Sequence, residues 1–208
     1  MRIEQLKTTP DRAGRYRVTF EDGSVMRLYR QTLEDFTLYT GKELSEEEME
    51  ALREHAGQMS AKMRAVRIVS ASSVTKGDLQ RRLVSKGETE EQAREAVQWM
   101  SDLKLLDDAA VAGQVVSRCI AKGYGLARAK QALYEKKVPR QYWDDALADY
   151  PDQLDKIDEF LRSRLTGEYD QRDIKKAIDA LMRRGHSYGV IRRALGNLAA
   201  DTEEFPED

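Results

Sequence analysis

The chain is poor in the residues that most chemistry needs. It has one cysteine, Cys119, and two histidines, His55 and His186. A single thiol excludes an intramolecular disulfide and suits a reducing compartment. Gly123-Tyr124-Gly125 is not a nucleotide-binding fingerprint, because no strand precedes it. No apolar run approaches the ~18 residues that a membrane span requires. The opening Met1-Arg2-Ile3-Glu4 lacks a hydrophobic signal region. A soluble, cytoplasmic protein without a membrane partner is expected. Charge of one sign is also missing: the formal net charge is −2, so the chain as a whole exerts no pull on nucleic acid. Any such binding must come from local patches.

Candidate catalytic groups are few. His55 and His186 stand next to breaks and read as surface or capping residues. Cys119 shares an apolar face with Val115 and Val116 and reads as a small core residue. Asp107-Asp108 opens a helix, where two acids serve as cap and dipole partner more often than as metal ligands. No catalytic residue, metal or cofactor is expected. A nuclease using acid pairs and a metal is the weakest reading.

Charged residues, in contrast, make up 35% of the chain, against a usual ~25%. Hydrophobic residues are still 40%, enough to fold. High charge with modest apolar content suits thin helical layers with much solvated surface. The first thirty residues hold the β-like part. Tyr16, Val18 and Phe20 alternate with Arg17 and Thr19, which marks a strand with one buried face. Asp22-Gly23 signals a tight turn, residues 25–28 the return strand, and residues 3–7 a third. So small a sheet must pack on neighbouring helices. It reads as a structural cap, or as a hairpin that binds a partner.

Helices follow. Residues 31–39 suggest a short one. Ser45 with Glu48 forms a capping box for a helix over 46–56. Gly57 breaks or weakens that helix, and another over 58–69 carries Met59, Met63, Val66 and Ile68 on its buried side. Next comes a repeat. Leu79, Leu83, Gly87, Ala93 and Val97 have the same spacing as Ala129, Leu133, Lys137, Trp143 and Leu147, and as Ala177, Leu181, Gly185, Ile191 and Leu195. Each set describes a helix, a tight turn and a second helix facing it. The turn needs a left-handed residue, which glycine supplies cheaply. Lys137 is the odd copy, and Val138-Pro139 is expected to shape that turn, with Pro139 as the first residue of the next helix. One more helix precedes each pair, at 58–69, 108–122 and 152–165.

The fold class expected is therefore mainly α: three tandem three-helix repeats with a small N-terminal β-hairpin or sheet. The expected division is 1–44 (hairpin and short helix), 45–106 (leading helix and first repeat), 107–149 (second repeat), 150–199 (third repeat) and 200–208 (acidic tail). Units this small bury little alone and must stack on neighbours.

Cations cluster within the repeats. Residues 115–140 hold seven cations against one acid, and residues 171–196 hold seven against two. Arg81, Arg82 and Lys86 occupy matching places in the first repeat. Such segregation favours a polyanion or an acidic protein groove as partner; solvated helix faces are the plain alternative. Lys122, Arg128, Lys130, Lys136, Lys137 and Arg140 form one candidate binding set. Lys175, Lys176, Arg183, Arg184, Arg192 and Arg193 form another. Tyr124, Tyr134, Tyr142, Trp143 and Tyr188 interleave with them. Aromatics so placed can stack on bases but more often serve as core or seam, and Trp143 falls in the buried register.

The segment Leu105-Leu106-Asp107-Asp108 to Ala112, followed by Lys122-Gly123-Tyr124-Gly125, Leu133, Lys137-Val138 and Leu147, resembles the central motif of the RecX family of recombination regulators. The tandem units, the hairpin and Gly41-Lys42-Glu43-Leu44 also resemble longer members. Lys137 stands where the family usually has glycine. The resemblance implies a non-enzymatic modulator, expected as a monomer, that lies along the RecA–single-stranded DNA filament. It would alter filament assembly, and with it RecA's ATPase, strand exchange and SOS repressor co-cleavage, most simply by inhibition. Single-stranded DNA would be met directly or through RecA. The alternative from the residues alone is a helical DNA-binding protein with no RecA partner.

Overall fold

The structure, a computed structural model, describes residues 1–167 and 169–203, the last five of these by backbone alone. It is mostly helical, with one small sheet. The chain divides into two compact units, Met1–Leu106 and Asp107–Asp208.

In the first unit, strands β1 (Ile3–Leu6), β2 (Arg15–Phe20) and β3 (Val25–Tyr29) form an antiparallel sheet in sequence order. The β2–β3 turn closes at Gly23, whose φ is +78°. Ile3, Val18, Phe20 and Leu28 point from the sheet into a core with Leu38, Leu44, Met49 and Leu52. Helix α1 is shorter than expected, Arg30–Asp35, and the chain then turns through Thr37 at φ +47°.

Ser45 caps helix α2 as anticipated: its side chain accepts from Glu48 N–H, and Glu48 returns the bond to the Ser45 N–H. The expected break at Gly57 does not occur. Helix α2 runs unbroken over Glu46–Ala71. Its first half covers the sheet, and its second half packs on α3 (Lys76–Ser85) and α4 (Glu90–Asp102). Gly57 is a packing slot: a Cβ there would collide with the Gln92 amide, the same side chain that closes the capping box of α4 with Thr89. The buried stripe of α2 includes Val66 and Ile68, which pack against the core as expected, but it is centred on smaller residues. Ala61 and Ala65 are fully buried, while Met59, Met63, Val66 and Ile68 are half-buried. Gly57, Ala61 and Ala65 recur every four residues on one face, and small side chains there let α4 approach closely.

The second unit holds α5 (Asp108–Ala121), α6 (Leu126–Glu135), a 3-10 turn (Arg140–Tyr142), α7 (Trp143–Leu147), α8 (Leu154–Arg164), α9 (Gln171–Arg183) and α10 (Tyr188–Glu203). Asp107 caps α5 by accepting from Ala110 N–H. Pro139 precedes the 3-10 turn and does not open an α-helix. One core gathers Val111, Ala112, Val115, Val116, Cys119, Ala129, Leu133, Val138 and Trp143. Another gathers Ile157, Leu161, Leu165, Ala177, Leu181, Ile191 and Ala194. Trp143 is in the core as expected, its indole N–H donating to the Val138 carbonyl at 3.0 Å. The acidic tail anticipated from Ala200 lies, past Glu203, outside the described residues.

Candidate nucleic-acid interface

Helix α6 begins without a side-chain cap, because Gly125 holds its N-cap position. The end of α9 supplies the missing acceptors. Gly125 N–H donates to the Arg184 carbonyl at 2.9 Å, and Ala127 N–H to the Gly185 carbonyl at 3.2 Å. One helix's spare carbonyls thus satisfy another's spare amides. His186 adds a third bond, its Nε2–H donating to the Gly123 carbonyl at 3.0 Å. Both glycines are required by contact. A Cβ on Gly125 would collide with the Gly185 carbonyl, and a Cβ on Gly185 with the Arg128 backbone. The splice therefore sets Arg128 beside Arg184.

These arginines wall a cleft of about 360 Å³ with Tyr124, Phe160, Arg164, Ala180 and Arg183. It continues past Phe160, Arg164, Ala180 and Arg183 into a hollow of about 490 Å³ that includes Lys176, Ala177 and Asp173. Phe160 is its aromatic anchor: the Arg184 guanidinium lies 4.5 Å from the ring centroid and that of Arg164 lies 5.6 Å away. Arg128 is paired with Glu135 at 2.9 Å and Lys176 with Asp173 at 3.0 Å. Among the described residues no carboxylate pairs with Arg164, Arg183 or Arg184. Arg164 ends α8, and Arg183 and Arg184 end α9. The negative poles of two helices offset the mutual repulsion of these arginines. A cationic cleft of this kind suits a phosphate backbone or an acidic protein strand.

Residues 107–147 match the family model for the second three-helix domain of RecX. The regulatory protein RecX of Clostridioides difficile is 25% identical over 207 residues, covering 95% of this chain and 94% of that protein. RecX of Vibrio campbellii is 29% identical over 148 residues, 67% of this chain and 92% of its own. Residues 107–147 thus carry the RecX second-domain pattern, and the chain is similar to RecX regulatory proteins over most of its length. A crystal structure of a regulatory protein RecX has the same fold, with a TM-score of 0.62 at 23% identity over 92% of this chain and 98% of that one.

The RecX-matched segment spans α5 to α7, yet the cleft borrows most of its walls from the next repeat. Of the twelve cations singled out in the sequence, Arg128, Lys176, Arg183 and Arg184 come together there. The others do not join them. Lys122 lies over Tyr124 at 6.0 Å, Lys137 over Tyr134 at 5.1 Å and Arg140 over Trp143 at 3.8 Å. Lys130 lines a separate hollow with Tyr150 and Asp152, and Asp152 pairs with Arg193 at 3.4 Å. Lys175 and Arg192 are exposed and Lys136 half-buried. Arg81 and Arg82 both bind the fully buried Asp78, Arg82 at 2.8 Å.

Sequence reading missed Arg164 and Phe160, whose i, i+4 spacing on one helix face was the available signal. It also misplaced His186, which is buried rather than superficial. Burial holds its pKa below the ordinary value, the Gly123 bond opposes that, and the Arg184 charge adds to the lowering. His55 is half-buried against Phe36 and Asp35. Cys119 is buried, and burial raises its thiol pKa, which suppresses the reactive thiolate. No metal-holding group of acids, histidines and cysteine occurs among the described residues. No helix among them is long and apolar enough to cross a membrane.

Proposed function

We propose that the protein binds the RecA–single-stranded DNA filament as a monomer in the cytoplasm. By binding it restrains filament assembly, and with it the ATPase, recombination and SOS co-protease activities of RecA. It does so without a catalytic centre. The observation that carries this reading is the cleft at the α6–α9 splice. Arg164, Arg183 and Arg184, without acid partners among the described residues, line it beside Phe160, in a chain similar to regulatory RecX proteins.

ATP hydrolysis by RecA on single-stranded DNA, measured while the protein is titrated in, tests the proposal. Hydrolysis should fall, and the combined Arg164→Glu, Arg183→Glu and Arg184→Glu variant should lose most of that effect with its helical content unchanged. No change in hydrolysis at stoichiometric amounts of the unsubstituted protein overturns it.

Tyr124 and Phe160 in the cleft favour a second reading, direct DNA binding without RecA, since aromatic faces beside cations accept unstacked bases. That reading requires binding to a bare single strand with a log–log salt slope of about −0.7 per phosphate contacted.

A further inference from the structure

The first unit contains a second cationic hollow, remote in sequence from the cleft above. Its volume is about 400 Å³, and Arg15, Tyr29, Arg64, Arg67, Arg82 and Lys86 line it. Four elements contribute: β2 begins at Arg15, β3 ends at Tyr29, α2 supplies Arg64 and Arg67, and α3 supplies Arg82 with Lys86 at its C-cap.

The arginines are held in place before any ligand arrives. Arg64 is fixed through Nε to Glu88 at 2.8 Å and through Nη1 to the Lys86 carbonyl at 3.1 Å. Arg82 is fixed to Asp78 at 2.8 Å. Arg15 holds Asp11 through both Nε and Nη2, at 3.1 and 2.8 Å. Arg67 donates to the Tyr29 hydroxyl. Two of these pairs are lopsided. Glu88 and Asp78 side chains are 6% and 0% exposed, whereas their partners Arg64 and Arg82 are 34% and 33% exposed. The acids lie beneath and the guanidinium heads face the hollow. Five cations stand against three carboxylates, which leaves the hollow positive. Pre-positioned planar forks lose little side-chain entropy on binding and match the oxygens of a phosphate group.

We propose that this hollow is a second anion site, which takes a backbone phosphate of single-stranded nucleic acid independently of the α6–α9 cleft. It rests on the nucleic-acid side of the function proposed above. Two substitutions probe it without removing an arginine that braces the fold. Lys86→Glu reverses a charge whose side chain anchors none of these arginines. Ala13→Glu places a carboxylate at the lining of the hollow, where Ala13 already sits.

The measurement is fluorescence anisotropy of labelled oligo(dT) with the full chain and no RecA, over a range of salt concentrations. Each variant should bind about five- to tenfold more weakly and with a salt slope shallower by about 0.7 per lost phosphate contact. The same loss should add to that of Arg183→Glu, because the sites share no residue. Unchanged thermal melting in Ala13→Glu excludes misfolding as the cause.

Unchanged oligo(dT) binding in both variants overturns the proposal. So does stabilisation of the unsubstituted protein by inorganic phosphate that Ala13→Glu abolishes while oligo(dT) binding stays intact; the hollow would then take a small ion. Retained oligo(dT) binding with a lost effect on RecA ATPase would assign the hollow to an acidic protein surface, and overturns it too. If the unsubstituted protein does not bind oligo(dT) at all, this inference fails, while the RecA proposal is still decided by the ATPase assay.

Discussion

At the turn of the first repeat, Gly87 has φ +95° and open space where a Cβ would go; at the turn of the third, Gly185 has φ +89° and the backbone of Arg128 there. The two turns have the same internal bonding. Glu88 N–H returns to the Leu83 carbonyl and His186 N–H to the Leu181 carbonyl, each at 3.2 Å. The second repeat repeats it with a lysine: Lys137 has φ +55° and Val138 N–H returns to the Leu133 carbonyl at 3.0 Å. One backbone motif, a left-handed residue closing a helix over a buried leucine, thus serves three settings. In the first repeat glycine answers only the dihedral demand. In the third it also makes room for a neighbouring helix, and that added demand builds the cleft.

Substitution by alanine separates the two demands. Gly185→Ala should have the largest effect. It combines the left-handed penalty of ~1–2 kcal/mol with overpacking against a backbone that cannot swing away, ~1–3 kcal/mol more. Denaturant unfolding should show the loss, and the proposed effect on RecA ATPase should fall with it, because Arg128 and Arg184 separate. Gly87→Ala should cost only the dihedral penalty, ~1–2 kcal/mol, with the proposed effect on RecA ATPase intact. Equal losses in the two variants would mean that the close approach of Gly185 to Arg128 contributes nothing.

His186 tests the same splice by pH. Its folded pKa is lowered, mainly by burial, so near pH 6.5 the unfolded chain binds more protons at this residue than the folded one. The stability this provides is present above the unfolded value of ~6.5 and is lost as pH falls below it. Melting should therefore drop between about pH 7.5 and 5.5. His186→Gln should cost about 1–2 kcal/mol at pH 7.5 through the altered Gly123 bond and should flatten that slope. An unchanged slope would place the titration elsewhere.

How far this was legible depends on where each signal lies. The repeat was legible because its buried positions, such as Leu79, Leu83, Ala129, Leu133, Ala177 and Leu181, stand at fixed separations along the chain. The helix caps at Ser45 and Asp107 were legible because capping acts within three residues. The continuity of α2 was not: glycine at position 57 looks like a weak point until Gln92 is known to lie against it. The cleft was half legible. Its cations stood out by density, but density did not show that Arg128 meets Arg184, 56 positions later. Nor did it show that Phe160 lies beneath an arginine from another helix. Those facts belong to the packing of one repeat on the next, which local spacing does not encode.

The turn at Lys137 carries the smallest and sharpest test. A non-glycine residue in the left-handed region costs ~1–2 kcal/mol, so Lys137→Gly should recover some of it. Two losses oppose the gain: a more flexible unfolded chain, ~0.4–1 kcal/mol, and the ammonium over Tyr134 at 5.1 Å, ~0.5 kcal/mol at an exposed site. The net change should be a stabilisation of about 0.5 kcal/mol or less. Lys137→Asn tolerates the same φ but lacks the ammonium, so comparing it with Lys137→Gly isolates the ring contact. A loss above about 1 kcal/mol in both variants would show that the lysine side chain, not the leucine-anchored backbone, holds the turn of the second repeat. The three turns would then not be equivalent.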